Sequence, residues 1–240
     1  TGSGDVIVQY TWDEGVIEKA EKGPNAVFMS KFATCTNSGT ENTFGIGPGT
    51  TGAPLNFTIP AARELNLGGI DLSMDYRKSE TNCDLFSRGN TFSLGLKNGH
   101  LAIAFNAKTK DKKTIKINQI TRYEVPADDE YRNYRFMFDP VSGKAEIDVN
   151  GLTVWTELME PQTELTWKES EPMIVGKNLK GDGTDKAFID NVVVKSTRQI
   201  SKMPVTLINF EAASEDNHVM VSWYTASESE IDSFIDRKST

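Results

Sequence analysis

An Asn-Gly pair set between two alternating apolar runs constrains this chain more than any other feature. In residues 92–105, Asn98 and Gly99 supply the two positive-φ positions of a type I′ turn. A two-residue loop sets Lys97 opposite His100, Leu96 opposite Leu101, Leu94 opposite Ile103 and Phe92 opposite Phe105. Every large apolar residue then lies on one face, while Ser93, Gly95, Ala102 and Ala104 share the other. A slip of one residue would turn the apolar set to the wrong side, so the register is strongly specified. The chain is thereby committed to antiparallel sheet.

Strand-like runs bounded by turn residues recur at 6–10, 27–32, 70–77, 85–86, 114–120, 134–138, 144–149, 152–155, 172–175 and 188–195. This spacing predicts an all-β fold, a sandwich of two antiparallel sheets. Helical signal is scarce: 61–67 allows one turn before Gly68-Gly69 stops it, and 36–56 and 176–186 read as loops. Residues 1–200 form the expected main domain. Met203-Pro204 marks a boundary, and 201–240 carries a shorter β pattern, with strands expected at 205–210 and 218–223 and a third opening at Phe234-Ile235. Three strands cannot close a sandwich, so this second module reads as truncated or as leaning on the first.

The net charge of −8 argues against nucleic acid or anionic lipid as a partner. No apolar run approaches the ~20 residues of a membrane helix, so membrane insertion is not expected. The chain does not begin with Met and shows no signal peptide, and it reads as a mature segment of a longer polypeptide, monomeric within it. Cys35 and Cys83 form no C-x-x-C pair, which removes zinc and thioredoxin-like readings. An exported chain would allow a disulfide between them, two separate thiols being the alternative.

Three segments resemble the laminin-G-like, concanavalin A-like jelly-roll superfamily. Residues 70–105 resemble its "strand, Leu-Phe-Ser-Arg-Gly, strand, Asn-Gly, strand" block. Residues 134–151 resemble its aromatic strand followed by Asp, Ser-Gly-Lys and a strand ending in Asn-Gly. Residues 173–194 resemble its closing "Ile-Val-Gly … Phe-Ile-Asp-Asn-Val" block. Together they span about 5–197. The tail, Met203 to Phe210, Val219 to Trp223 and Thr225 to Glu228, resembles the opening of a fibronectin type III-like module in bacterial surface proteins exported by type IX secretion. That resemblance implies a secreted or outer-surface address.

Register also nominates a binding surface. With Phe138 opposite Ala145, Phe136 opposite Ile147 and Tyr134 opposite Val149, the other face pairs Met137 with Glu146 and Arg135 with Asp148. Across the Asn150-Gly151 turn, Asp148 meets Thr153 and Glu146 meets Trp155. Arg135, Glu146, Asp148, Thr153 and Trp155 thus share one expected face. An aromatic ring for sugar C–H groups, with Arg and carboxylates for hydroxyls, suits carbohydrate or an extracellular glycoconjugate. The plainer reading is an Arg135–Asp148 ion pair on a solvated face, with Trp155 packed under a loop.

Glu146-Ile147-Asp148 also resembles the start of the laminarinase-like Glu-x-Asp-x-x-Glu motif, whose carboxylates lie about 5–5.5 Å apart in a retaining mechanism. Asn150 and Gly151 stand where the second Glu belongs, so Glu146 and Asp148 are a near miss for catalysis. A glycoside hydrolase or polysaccharide lyase is therefore the second reading, and a spacer domain the third. His100 and His218 lie near no nucleophile elbow, and Gly45-Ile46-Gly47-Pro48-Gly49 reads as a loop. The family resemblance implies calcium at Asp190; Asp13 and Glu14 near the N-terminus are candidate partners, and the loop with Asp182 and Asp185 is a second candidate, the alternative being that Asp190 caps a turn or pairs with a lysine.

Overall fold

The computed structural model describes residues 4–27, 32–49, 52–77, 80–181, 186–197, 207–215 and 218–225. Two compact units divide the chain, Thr1–Gln199 and Ile200–Thr240.

The strands of the first unit are β1 (Val6–Tyr10), β2 (Ala33–Cys35), β3 (Gly45–Gly47), β4 (Phe57–Ile59), β5 (Ile70–Tyr76), β6 (Asn82–Arg88), β7 (Phe92–Lys97), β8 (His100–Lys108), β9 (Thr114–Glu124), β10 (Arg132–Asp139), β11 (Lys144–Val149), β12 (Leu152–Leu158), β13 (Glu164–Leu165), β14 (Met173–Lys177) and β15 (Ile189–Ser196). One sheet runs β12-β11-β10-β5-β15-β3-β2, with β1 also on β15. The other runs β13-β8-β7-β6-β14-β4, with β9 on β8. Among the described residues helix is confined to single 3₁₀ turns at Thr40–Asn42 and Arg63–Leu65, the second inside the stretch where one turn was expected.

The β7–β8 register is the one the Asn-Gly turn dictates, from Lys97↔His100 to Phe92↔Phe105. Asn98 and Gly99 have φ of 50° and 79°. The β10–β11 register likewise runs from Phe138↔Ala145 to Tyr134↔Val149. Its turn closes through Gly143 N–H donating to Asp139 O (2.8 Å), with Asp139 Oδ1 accepting from Val141 N–H (2.9 Å).

Alternation sends the large residues of both sheets inward. Phe92 and Phe105 of one sheet meet Phe136 of the other at ring-centre distances of 5.4 and 5.6 Å. Such aromatic contacts fix the two sheets face to face. Arg88 is fully buried at one end of this core. Its guanidinium donates to the carbonyls of Leu65, Glu169 and Glu171 and to Asn66 Oδ1, and it lies 5.0 Å from the Trp167 ring centre.

Some expectations need correcting. Gly45-Ile46-Gly47 is not a loop but β3, paired with β2 and β15. Its glycines permit a close approach: a Cβ on Gly47 would lie 2.2 Å from Lys186 O. Neither Val27 nor Phe32 is in a strand, and 28–31 lie outside the described residues. No disulfide joins the cysteines. Cys35 lies on β2 of one sheet, and Cys83 is buried on β6 of the other, where burial pushes its thiol up to about 12.

In the second unit, β16 (Leu207–Glu215) and β17 (His218–Thr225) form an antiparallel hairpin with Phe210 opposite Trp223. Phe234 and Ile235 lie outside the described residues.

Candidate functional site

The face expected on β10, β11 and β12 is only partly assembled. Arg135 pairs with Asp148, and Asp148 with Thr153, in strand register. A β-bulge then shifts β12, so Trp155 lies opposite Ile147 and Thr156 opposite Glu146. Trp155 thereby leaves the polar face for the inner one, packing half-buried against the core beside Val154. Its indole N–H donates to Gln119 Oε1 of β9 (2.9 Å), joining the edges of the two sheets. The expected register erred because a bulge sets two residues against one. Here that shift moves a large apolar ring out of water.

Among the polar residues of that face, each finds a local partner. Although Arg135 is the strand neighbour of Asp148, its ion pair is with Asp71. Its guanidinium grips the buried Asp71 carboxylate bidentately, at 2.7 and 2.8 Å, and this contact raises its pKa further. Asp148 accepts from Thr153 Oγ1 (2.8 Å), and Glu146 pairs with Lys144 (3.0 Å). Asn150, where a second catalytic Glu would stand, serves the turn: its Oδ1 accepts from Asn133 N–H at 2.8 Å.

A more developed site lies at the rim of the sandwich, beside Asp190. This carboxylate is fully buried at the start of β15. Its Oδ2 accepts from the Thr40 N–H (2.9 Å), Thr40 Oγ1 (2.9 Å) and Thr43 Oγ1 (3.4 Å), and its Oδ1 from the Asn191 N–H (2.8 Å). Burial pushes its pKa up to about 6, against the lowering effect of these donors, and the nearby Asp13 adds to the rise. Gly39 lets the loop close here, since a Cβ on it would sit 2.7 Å from Asp190 Oδ2.

Around this anchor opens a cleft of about 630 Å³. Its walls come from five separate parts of the chain: Asp13, the 39–43 loop, Asp75 of β5, Asp129 to Tyr131, and Asn191 of β15. No Lys, Arg or His belongs to this lining among the described residues. A β-bulge in β15 between Asp190 and Val193 aims Asn191 at the cleft. Asn191 stands at φ 49°, and Glu41 and Asn42 at 52° and 59°. Non-glycine residues in this left-handed region carry strain and gather at functional sites. The amide of Asn191 donates to Thr40 Oγ1 (2.7 Å) and Asp75 Oδ2 (2.8 Å). With both amide protons used, its carbonyl oxygen is left as an acceptor. Tyr131, half-buried, donates its hydroxyl to Ser38 O (2.6 Å), and Arg77 lies 4.9 Å from its ring centre.

Of the carboxylates proposed for calcium, Asp13 and Asp190 do come together here, while Glu14 is paired with Lys19. Asp182 and Asp185 lie outside the described residues. Among the described residues no three His, Cys, Asp or Glu side chains converge as a metal shell. Asp190 is a hydrogen-bond hub, and a cation would have to displace its donors.

Sequence reading missed Thr40, Glu41, Asn42, Asp75, Asp129, Glu130, Tyr131 and Asn191. The Asp-Asp-Glu-Tyr run at 128–131 and the Asn next to Asp190 were the available signals.

No known protein family and no curated protein matches the sequence. Solved structures do match its fold. Domain 4 of AbnA, an extracellular arabinanase from Geobacillus stearothermophilus in complex with arabinotriose, superposes with a TM-score of 0.56. Identity is 10%, over 82% of this chain and 94% of that one. The botulinum neurotoxin serotype C1 binding domain gives 0.54 at 11% identity, over 96% of this chain and 64% of that one, so this chain spans under two thirds of it. The likeness establishes a jelly-roll β-sandwich. No helix among the described residues is long and apolar enough to cross a membrane.

Proposed function

We propose that this chain is a non-catalytic carbohydrate-binding module of a larger secreted protein, and that the rim cleft holds the glycan. The observation that carries the reading is the cleft's lining: carboxylates, amides, hydroxyls and a tyrosine, with no Lys or Arg among its described lining residues. Sugar hydroxyls are donors in need of such acceptors, and hydrogen bonds to charged oxygens are about twice as strong as neutral ones. Glu41, Asp129 and Glu130 are exposed at the mouth and would take hydroxyls. Asn191, held by Asp75 and Thr40, would offer a fixed acceptor. The arabinotriose-bound fold relative supports the same class of ligand.

The glycosidase reading rests on Glu146 and Asp148, and no observation favours it, since Lys144 and Thr153 engage them. The extracellular address, the type IX route and the fibronectin-like tail belong to the proposal and rest on the resemblance of the 203–228 segment.

A panel of neutral and acidic polysaccharides, run with calcium and again with a chelator, tests the reading. Specific binding in both conditions is expected. Binding that requires calcium would place a cation at Asp190, and silence throughout would favour a spacer domain.

A further inference from the structure

The outward face of the β7–β8 hairpin, where Ser93, Gly95 and Ala102 lie, is not a plain solvated surface. It floors a trough of about 320 Å³, within the range of ligand pockets. Ile120 of β9, 56% exposed, stands on one side, and Asp84 of β6 and Asn178 on the other. Lys97 lies at one end.

Asp84 is the unusual member. A β-bulge between Asp84 and Phe86 re-aims it, and it sits across from Gly95. A Cβ on Gly95 would lie 2.9 Å from Asp84 Oδ1, so glycine is what lets the carboxylate lie down over β7. Asp84 is half-buried, yet its carboxylate makes no hydrogen bond or ion pair among the described residues. Burial raises its pKa, while Lys177 and Lys97 act in the opposite direction. A half-buried carboxylate whose oxygens lack donors is an acceptor awaiting one. Beside it, Ala102 and Ile120 pair directly across β8 and β9 and form a short apolar strip.

We propose that this trough is a second saccharide site, distinct from the rim cleft, with Asp84 accepting from sugar hydroxyls and the Ala102–Ile120 strip supporting the ring's C–H face. The ligand class follows from this pairing of a charged acceptor with an apolar platform. A wholly apolar ligand would leave Asp84 unpaired, and phosphate would be repelled by it. A neutral pyranose satisfies both sides.

The test is a titration of the whole protein with methyl pyranosides of glucose, galactose, mannose and xylose, followed by amide chemical shifts in NMR. The expected result is a cluster of shifts at Asp84, Gly95, Ala102 and Ile120 for at least one sugar. Asp84→Asn should weaken it by roughly tenfold or more, and Ile120→Ser should weaken it independently, with both variants folded by the rest of the spectrum. Asp129→Ala/Glu130→Ala should leave it unchanged. Shifts confined to the rim cleft would overturn the trough site while sparing the reading of the cleft. Trough shifts that survive Asp84→Asn, or no trough shifts with any sugar, would also overturn it.

Discussion

The indole N–H of Trp155 donates to Gln119 Oε1 at 2.9 Å, tying the edge strand β12 of one sheet to β9 of the other. An aromatic residue that looks like a sugar platform in the sequence is therefore a brace between sheets. Trp155→Ala should lower stability by about 2 kcal/mol through lost packing and an orphaned amide. Chemical denaturation measures this, and glycan affinity measured on the folded variant should stay within twofold of the parent.

Arg135 and Asp71 form the other pairing that redefines this face. Asp71 is 5% exposed, so removing Arg135 leaves a buried carboxylate without its counter-charge. Arg135→Ala should cost about 2 kcal/mol, tempered by the exposure of the guanidinium. Asp71→Ala/Arg135→Ala should cost less than the sum of its single variants. A double-mutant cycle in urea reads the difference, and strict additivity would deny the coupling.

Asp190 sets a pH dependence. Its pKa is about 6 in the folded chain against an ordinary 3.8. Between these values the folded state binds more protons than the unfolded one, so this group's contribution to stability falls as pH rises through the window. The wild type should lose on the order of 2–3 kcal/mol relative to Asp190→Asn between about pH 4 and pH 7. Parallel denaturation profiles of the two proteins check the sign, which a normal carboxylate pKa would abolish.

What the sequence disclosed follows from the range of the interactions involved. The registers of β7–β8 and β10–β11 were legible because alternation and an adjacent turn specify them locally. The bulge that moves Trp155 was not, because nothing between Leu152 and Leu158 marks which residue is the extra one. Gly45 and Gly47 looked like loop glycines because the reason for them, a neighbouring segment at 186–189, is remote in the chain. The rim cleft is still less local. Asp190 and Asp13 were picked out by resemblance, but Thr40 and Asp75 reach the site only through β5–β15 pairing and the closure of the 39–43 loop on Asp190.

The central claim is that the rim cleft binds glycan. Isothermal titration with arabinan, arabinotriose and the strongest binder from the polysaccharide panel tests it most directly, comparing the wild type with Asp129→Ala/Glu130→Ala. Both residues are exposed on the cleft wall, so the variant should keep its melting temperature. The account predicts measurable binding by the wild type and a loss of roughly tenfold or more in the variant. Equal affinity in the two proteins, or no heat with any glycan, would contradict it.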